Sequence, residues 1–246
     1  MGAKESSRVM DLYIQKLGRS LSGLGYETSG PPDHDLDREP GVKHPEWRIS
    51  WFSLRSPIPE VNFALMAHLR RSSEGNIGIS GNALLVSAAV EDILDELSYD
   101  SIDNFCGSVL DSIPFTYFET PQDMSQYIWV TGENGVDAGV REYMRLVDGP
   151  VSGWFSDRDD ITKLLQLSGT ARPNNVVDQV NPDPMRLRGS IVLAVLSGRG
   201  ADAARVMAEY IGRGTFNNSD SREKARAFDA AMIRKFPVYE ESRRAG

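Results

Sequence analysis

The stretch Trp47-Arg-Ile-Ser-Trp51-Phe-Ser-Leu-Arg55-Ser-Pro-Ile-Pro-Glu60-Val-Asn-Phe-Ala-Leu65-Met-Ala-His-Leu-Arg70-Arg71 decides the fold. Trp47, Ile49 and Trp51 alternate with Arg48 and Ser50. Val61, Phe63, Leu65, Ala67 and Leu69 alternate with Asn62, Ala64, Met66, His68 and Arg70. A period of two with one apolar side is the signature of a half-buried strand. The link Pro57-Ile-Pro59 cannot lie within a central strand, so it separates two of them. Strands joined this closely pair antiparallel. His68 then sits on the less apolar side of the sheet.

Downstream, Gly75 to Ser87 supplies a third strand through Ile77, Ile79, Leu84 and Val86. At Ala88 the period changes. Ala89, Val90, Ile93, Leu94 and Leu97 recur as on a helix, which leaves Glu91, Asp92, Asp95 and Glu96 on its outer face. Ser101 to Ile113 repeats the pattern, with Ile102, Phe105, Cys106, Val109 and Leu110 inward and Asp103 and Asp111 outward, until Pro114 stops it. Upstream, Ser6 to Gly25 reads as an amphipathic helix through Val9, Tyr13, Leu17, Leu21 and Leu24, capped by Ser6 or Ser7 and closed by Gly25. Tyr26 to Glu46 is turn-rich and holds His34 and His44.

The C-terminal half is helical. Helices are expected over 137–146 and 159–167, and a polar, proline-bearing linker over 168–184. Asp183-Pro184 opens a helix that turns at Ser197-Gly-Arg-Gly200 and returns to Ile211, an αα-hairpin. A last helix runs from Ser219 or Asp220 to about Lys235, with a loose end at 236–246. The expected class is therefore α+β: a small antiparallel sheet packed by helices, then a helical C-terminal region. The expected division is an acidic domain over 1–167, a linker over 168–184 and a helical region over 185–246.

Charge is distributed unevenly. Residues 72–140 contain no Lys or Arg and twelve acids, where about eight cations would fall by chance. The chain as a whole carries −8, but 185–246 carries +5 and 1–184 carries −13. An acidic body repels nucleic acid and anionic membrane and favours a basic protein. Glu91, Asp92, Asp95, Glu96, Asp100, Asp103 and Asp111 are the candidate partner-binding residues. The basic tail is expected to dock on the acidic body or on a second copy as a homodimer.

The remaining motifs exclude more than they assign. No apolar run approaches the ~20 residues of a membrane span. The N-terminus leads straight into a helix without a signal peptide, and the lone Cys106 suits a reducing compartment, so a cytoplasmic location is expected. Gly198-Arg-Gly200 and Gly212-Arg-Gly214 lack the Lys-Ser/Thr of a phosphate loop, and Gly78-Ile-Ser-Gly81 breaks the nucleophile-elbow spacing. No metal, cofactor or catalytic residue is assigned. The expected function is non-enzymatic binding of a basic partner. The alternative is a hydrolase, metal-dependent or not, that uses His34 or His44 with neighbouring carboxylates.

One resemblance can be drawn. It rests on the N-terminal helix ending in Leu24-Gly25-Tyr26, the Trp- and Phe-bearing strands through Leu69, Gly149-Pro-Val-Ser-Gly153-Trp-Phe-Ser-Asp157 before a short helix, and the hairpin from Arg188 to Ile211 with Gly200 and Ala204. In this order of elements the chain resembles a bacterial α+β family of unknown function found beside polymorphic toxins. The resemblance implies an immunity or accessory protein, and it carries over no site residues.

Overall fold

The computed structural model describes residues 2–30, 46–97, 109–119, 128–173 and 178–245. It is α+β. Its six-stranded antiparallel sheet runs in the order β1 (Glu27–Ser29), β2 (Trp47–Arg55), β3 (Asn62–Arg71), β4 (Ile77–Val86) and β5 (Val109–Pro114), with β6 (Ile128–Val130) also pairing with β4. β2 and β3 form the long antiparallel hairpin that the alternation predicts.

Two compact units share the chain. The first gathers residues 1–55, 62–85 and 112–156; the second gathers 56–61, 86–111 and 157–246. The backbone therefore passes between units five times. The stretch 168–184, expected as a linker between domains, lies inside the second unit. The elements on either side of it, α6 (Ile161–Ser168) and α7 (Pro184–Leu196), pack against each other.

In the first unit, helix α1 (Ala3–Ser22) buries Val9, Met10, Tyr13, Leu17 and Leu21 completely. It packs on β2 and on α4 (Val136–Leu146). Tyr13 donates from its hydroxyl to the Gly139 carbonyl at 3.2 Å. Phe63 stacks on Phe155 of the short helix α5 (Ser152–Ser156) at 4.4 Å between ring centres. Gly81 is needed for close approach: a Cβ there would lie 2.6 Å from the ring of Phe115, which precedes the short helix α3 (Thr116–Glu119) and whose backbone N–H donates to the Gly81 carbonyl.

The register corrects one expectation about the hairpin. Phe52 pairs with Leu65, Leu54 with Phe63 and Arg48 with Leu69, whereas Trp51 pairs with Met66 and Trp47 with Arg70. Directly paired residues share a face. The Trp47/Ile49/Trp51 set and the Phe63/Leu65/Leu69 set therefore lie on opposite faces, not on one. The face of Arg48 and Phe52 is covered rather than wet. Arg48 is buried, pairing with Asp11 and donating to Ser7 Oγ, both on α1.

The second unit is built around α7, eleven of whose thirteen residues are buried. Such all-round burial belongs to a helix enclosed by others. Its neighbours within the unit are α2 (Ala88–Glu96), α6 and α8 (Gly200–Gly212). Gly189 lets β5 come close, since a Cβ there would meet Leu110 Cδ2 at 2.7 Å. The α7–α8 turn uses Gly198 at φ 74° and the Arg199 N–H donating to the Ala194 carbonyl, as an αα-hairpin requires. Helix α9 (Arg222–Lys235) follows, capped by Ser221.

Three further local expectations are corrected. Residues 109–114 form strand β5, not the end of a helix, because pairing in the sheet overrides a periodicity that also fits a helix. Glu27–Ser29 adds a strand to β2 inside the span read as loop. The C-terminus is helix α10 (Pro237–Ala245), held by Tyr239, whose hydroxyl donates to Asp229 at 2.6 Å. No helix among the described residues is long and apolar enough to cross a membrane.

Candidate functional site

The twelve acids of the cation-free stretch have different fates. Asp111, read as an outward residue on a helix, is 1% exposed on β5. Its carboxylate meets three guanidiniums of the same unit: Arg158 Nε at 2.9 Å, Arg172 Nε at 3.3 Å and Arg186 Nη1 at 3.4 Å. Burial alone would push the carboxyl up, but Arg172, Arg186 and Arg158 together hold it below the usual carboxylate range. Arg172 also approaches Asp183, the residue that caps α7. Arg186 donates to the Thr170 carbonyl at 2.5 Å, while its Nε makes no hydrogen bond. Three cations thus face two carboxylates in a nearly dry knot. This corrects the placement of Asp111: it is enclosed, so it cannot meet a partner from solvent.

Other acids of the stretch are paired on the surface. Glu96 meets Lys235 of α9, Glu133 meets Arg8, and Asp137 meets Lys16. Two acids of the stretch, Asp111 and Glu96, are thus met by cations of the C-terminal region. Five of the other ten cations of that region also have acids beside them: Arg188 with Asp220, Arg199 with Asp202, Arg205 with Glu209, Arg243 with Asp229 and Arg244 with Glu240.

What remains of the expected surface is the outer side of α2. Asp92 and Asp95 are exposed and have no cation partner among the described residues, and Glu91 is half-buried beside them. Asp100 and Asp103 lie outside the described residues. The helix is capped by Ser87, whose Oγ accepts from the Val90 N–H at 3.3 Å. Its last turn holds no basic residue and instead carries Asp95 and Glu96. Carboxylates there face the negative end of the helix dipole, at a cost of about 0.3–1 kcal/mol each. Glu96 is relieved by Lys235; Asp95 is not.

A cleft of about 470 Å³ opens elsewhere on the second unit. The loop 56–61 forms one wall with Pro57, Pro59 and Glu60. The start of α6 supplies Asp159, Asp160 and Ile161, and the end of α7 supplies Leu193, Leu196 and Ser197. The loop is closed on itself by Ser56: its N–H donates to the Val61 carbonyl, and its Oγ accepts from the Ile58 N–H. Leu196 stays 42% exposed. Glu60 holds φ at 62°, a left-handed conformation uncommon for a residue with a Cβ. Its carboxylate has no cation partner among the described residues. Asp160 caps α6 and is held below the usual carboxylate range by its bonds to Thr162, and Asp159 pairs with Lys163. Arg199 is tied to Asp202 and Thr162. Periodicity could not reveal this cleft, since its walls come from segments about a hundred residues apart in sequence.

His34 and His44, with the acids around them, and Cys106 lie outside the described residues. His68 is half-buried on β3. Among the described residues no group of three or more His, Cys, Asp or Glu is arranged to hold a metal. No family model matches the chain, and neither a curated protein nor a solved structure does.

Proposed function

We propose that this chain is a non-enzymatic binding protein that engages a basic protein partner through the acidic side of α2. Neutralisation of a cationic toxin by an immunity protein is the particular case that the sequence resemblance implies. The observation that carries the reading is the pair Asp92 and Asp95. Both are exposed and lack a cation partner among the described residues, whereas Glu96 and Asp111 of the same unit are matched. Asp95 also opposes the dipole of its own helix, so its presence lowers local stability rather than raising it. Local rules broken without a structural return are where functional residues tend to lie.

Such a surface attracts a basic partner over a distance of about a Debye length and raises the association rate more than the final affinity. The test uses the full chain as bait in lysate of its source, with Asp92→Asn/Asp95→Asn as control. The expected result is capture of a basic protein that elutes as salt rises and is lost from the control. Equal capture by both baits, or no basic protein on either, overturns the reading.

A further inference from the structure

We infer that the cleft between the loop 56–61 and the ends of α6 and α7 receives an arginine or lysine of the partner together with an adjacent apolar side chain. The inference rests on the reading of a basic protein partner and assigns it a second contact. A volume of about 470 Å³ falls within the range of built ligand sites. The lining has two characters. Leu193, Leu196 and the prolines give an apolar wall, while Glu60 presents an exposed carboxylate with no cation partner among the described residues.

Those two characters fit one kind of occupant. Long basic side chains lay an aliphatic stem along apolar surface and hold a charged head at the edge. A free carboxylate at the rim pairs with that head, and a guanidinium does so through two hydrogen bonds. Asp159 and Asp160 add negative potential although both already have partners. A purely apolar ligand would leave Glu60 unmatched, and an anionic one would be repelled. Arg199, the cation at the cleft, is already engaged by Asp202 and Thr162.

The test compares two capped peptides of equal charge, Leu-Arg-Leu-Arg and Ser-Arg-Ser-Arg, titrated into the isotopically labelled full chain and followed by amide chemical shifts. The expected result is that the leucine peptide moves the amides of Glu60, Ile161 and Ser197 and binds at least about fivefold more tightly than the serine peptide. Glu60→Asn removes the carboxylate but keeps a residue that tolerates a left-handed backbone. It should leave thermal stability unchanged or higher while weakening the leucine peptide about fivefold. Leu196→Asp should erase the preference for leucine. If both peptides instead bind equally, with shifts confined to α2 and abolished only by Asp92→Asn/Asp95→Asn, the cleft assignment is overturned and the basic-partner reading stands. If neither peptide moves any amide, the cleft assignment fails, and the lysate capture decides the reading separately.

Discussion

Replacing Asp111 by asparagine keeps the shape of the side chain and removes its charge, so it isolates the electrostatics of the buried knot. In the native chain three guanidiniums lie 2.9, 3.3 and 3.4 Å from that carboxylate, which is 1% exposed. With Asp183 included, the cluster carries one net positive charge; Asp111→Asn raises this to two. Breaking a buried ion pair from one side costs about 3–5 kcal/mol, because the remaining charge has neither water nor partner. That is a large fraction of a typical stability of about 5–15 kcal/mol. Removing a cation should be milder. Arg172→Met takes the cluster to neutrality, and Arg172 is the most exposed of the three, at 14% of its side chain. It should cost about 1–2 kcal/mol, within the usual range for single substitutions. Urea unfolding of the three proteins measures both numbers, with unchanged slopes expected. The same contact has a pH signature. The folded Asp111 carboxyl lies below its unfolded value of about 3.9, so its contribution is complete above that pH and is lost as pH falls through the folded value. Asp111→Asn should flatten this acid limb. A cost below about 1 kcal/mol for Asp111→Asn, or a larger cost for Arg172→Met, would refute the reasoning.

Two further outcomes follow from the first unit. Gly139→Ala should destabilise by about 1–2 kcal/mol in a melt, although alanine is the better helix former by about 1 kcal/mol, because the added Cβ would sit 2.6 Å from Val130 Cγ2 and 3.1 Å from Tyr13; a rise in stability would contradict the packing. Tyr13 and Tyr143 are pushed above the ordinary phenol range, chiefly by burial, and Tyr26 is pushed up to about 12 by burial and Asp148. The unfolded chain releases these protons near pH 10 while the native one holds them, so stability should fall as pH rises above 10. Phenolate absorbance should show the buried tyrosines ionising only as the protein unfolds.

The elements with strong local signals were legible in the sequence. The alternation from Trp47 to Arg71, the Asp183-Pro184 helix start and the Gly198 turn all report backbone preferences that act over a few residues. Face assignments were harder, because alternation within β2 and within β3 does not fix which residues pair. Arg48 looked exposed only because its partner Asp11 lies on another element. Asp111 misled for the same reason: an acid reads as a surface residue until the arginines that enclose it, 47 to 75 residues away, are known. The excess of acids between 72 and 140 signalled a need for cations, and the chain supplies part of that need itself. The cleft left no local trace, since proline, leucine and glutamate carry no shared pattern across distant segments.

The interleaving of the two units bears on how the protein is made. Translation delivers residues at about 5–20 per second, so Asp111 leaves the ribosome roughly 4–15 s before Arg186, 75 positions later. Arg158 and Arg172 come sooner, but until Arg186 follows them the carboxylate lacks its full set of partners, and α2 has no α7 to lean on. A nascent chain halted near residue 170 would hold every strand of the sheet yet lack the helix around which half the molecule assembles. Fragments designed on the apparent proline-rich break should therefore be insoluble. Residues of both units are better expressed together than divided at 168–184.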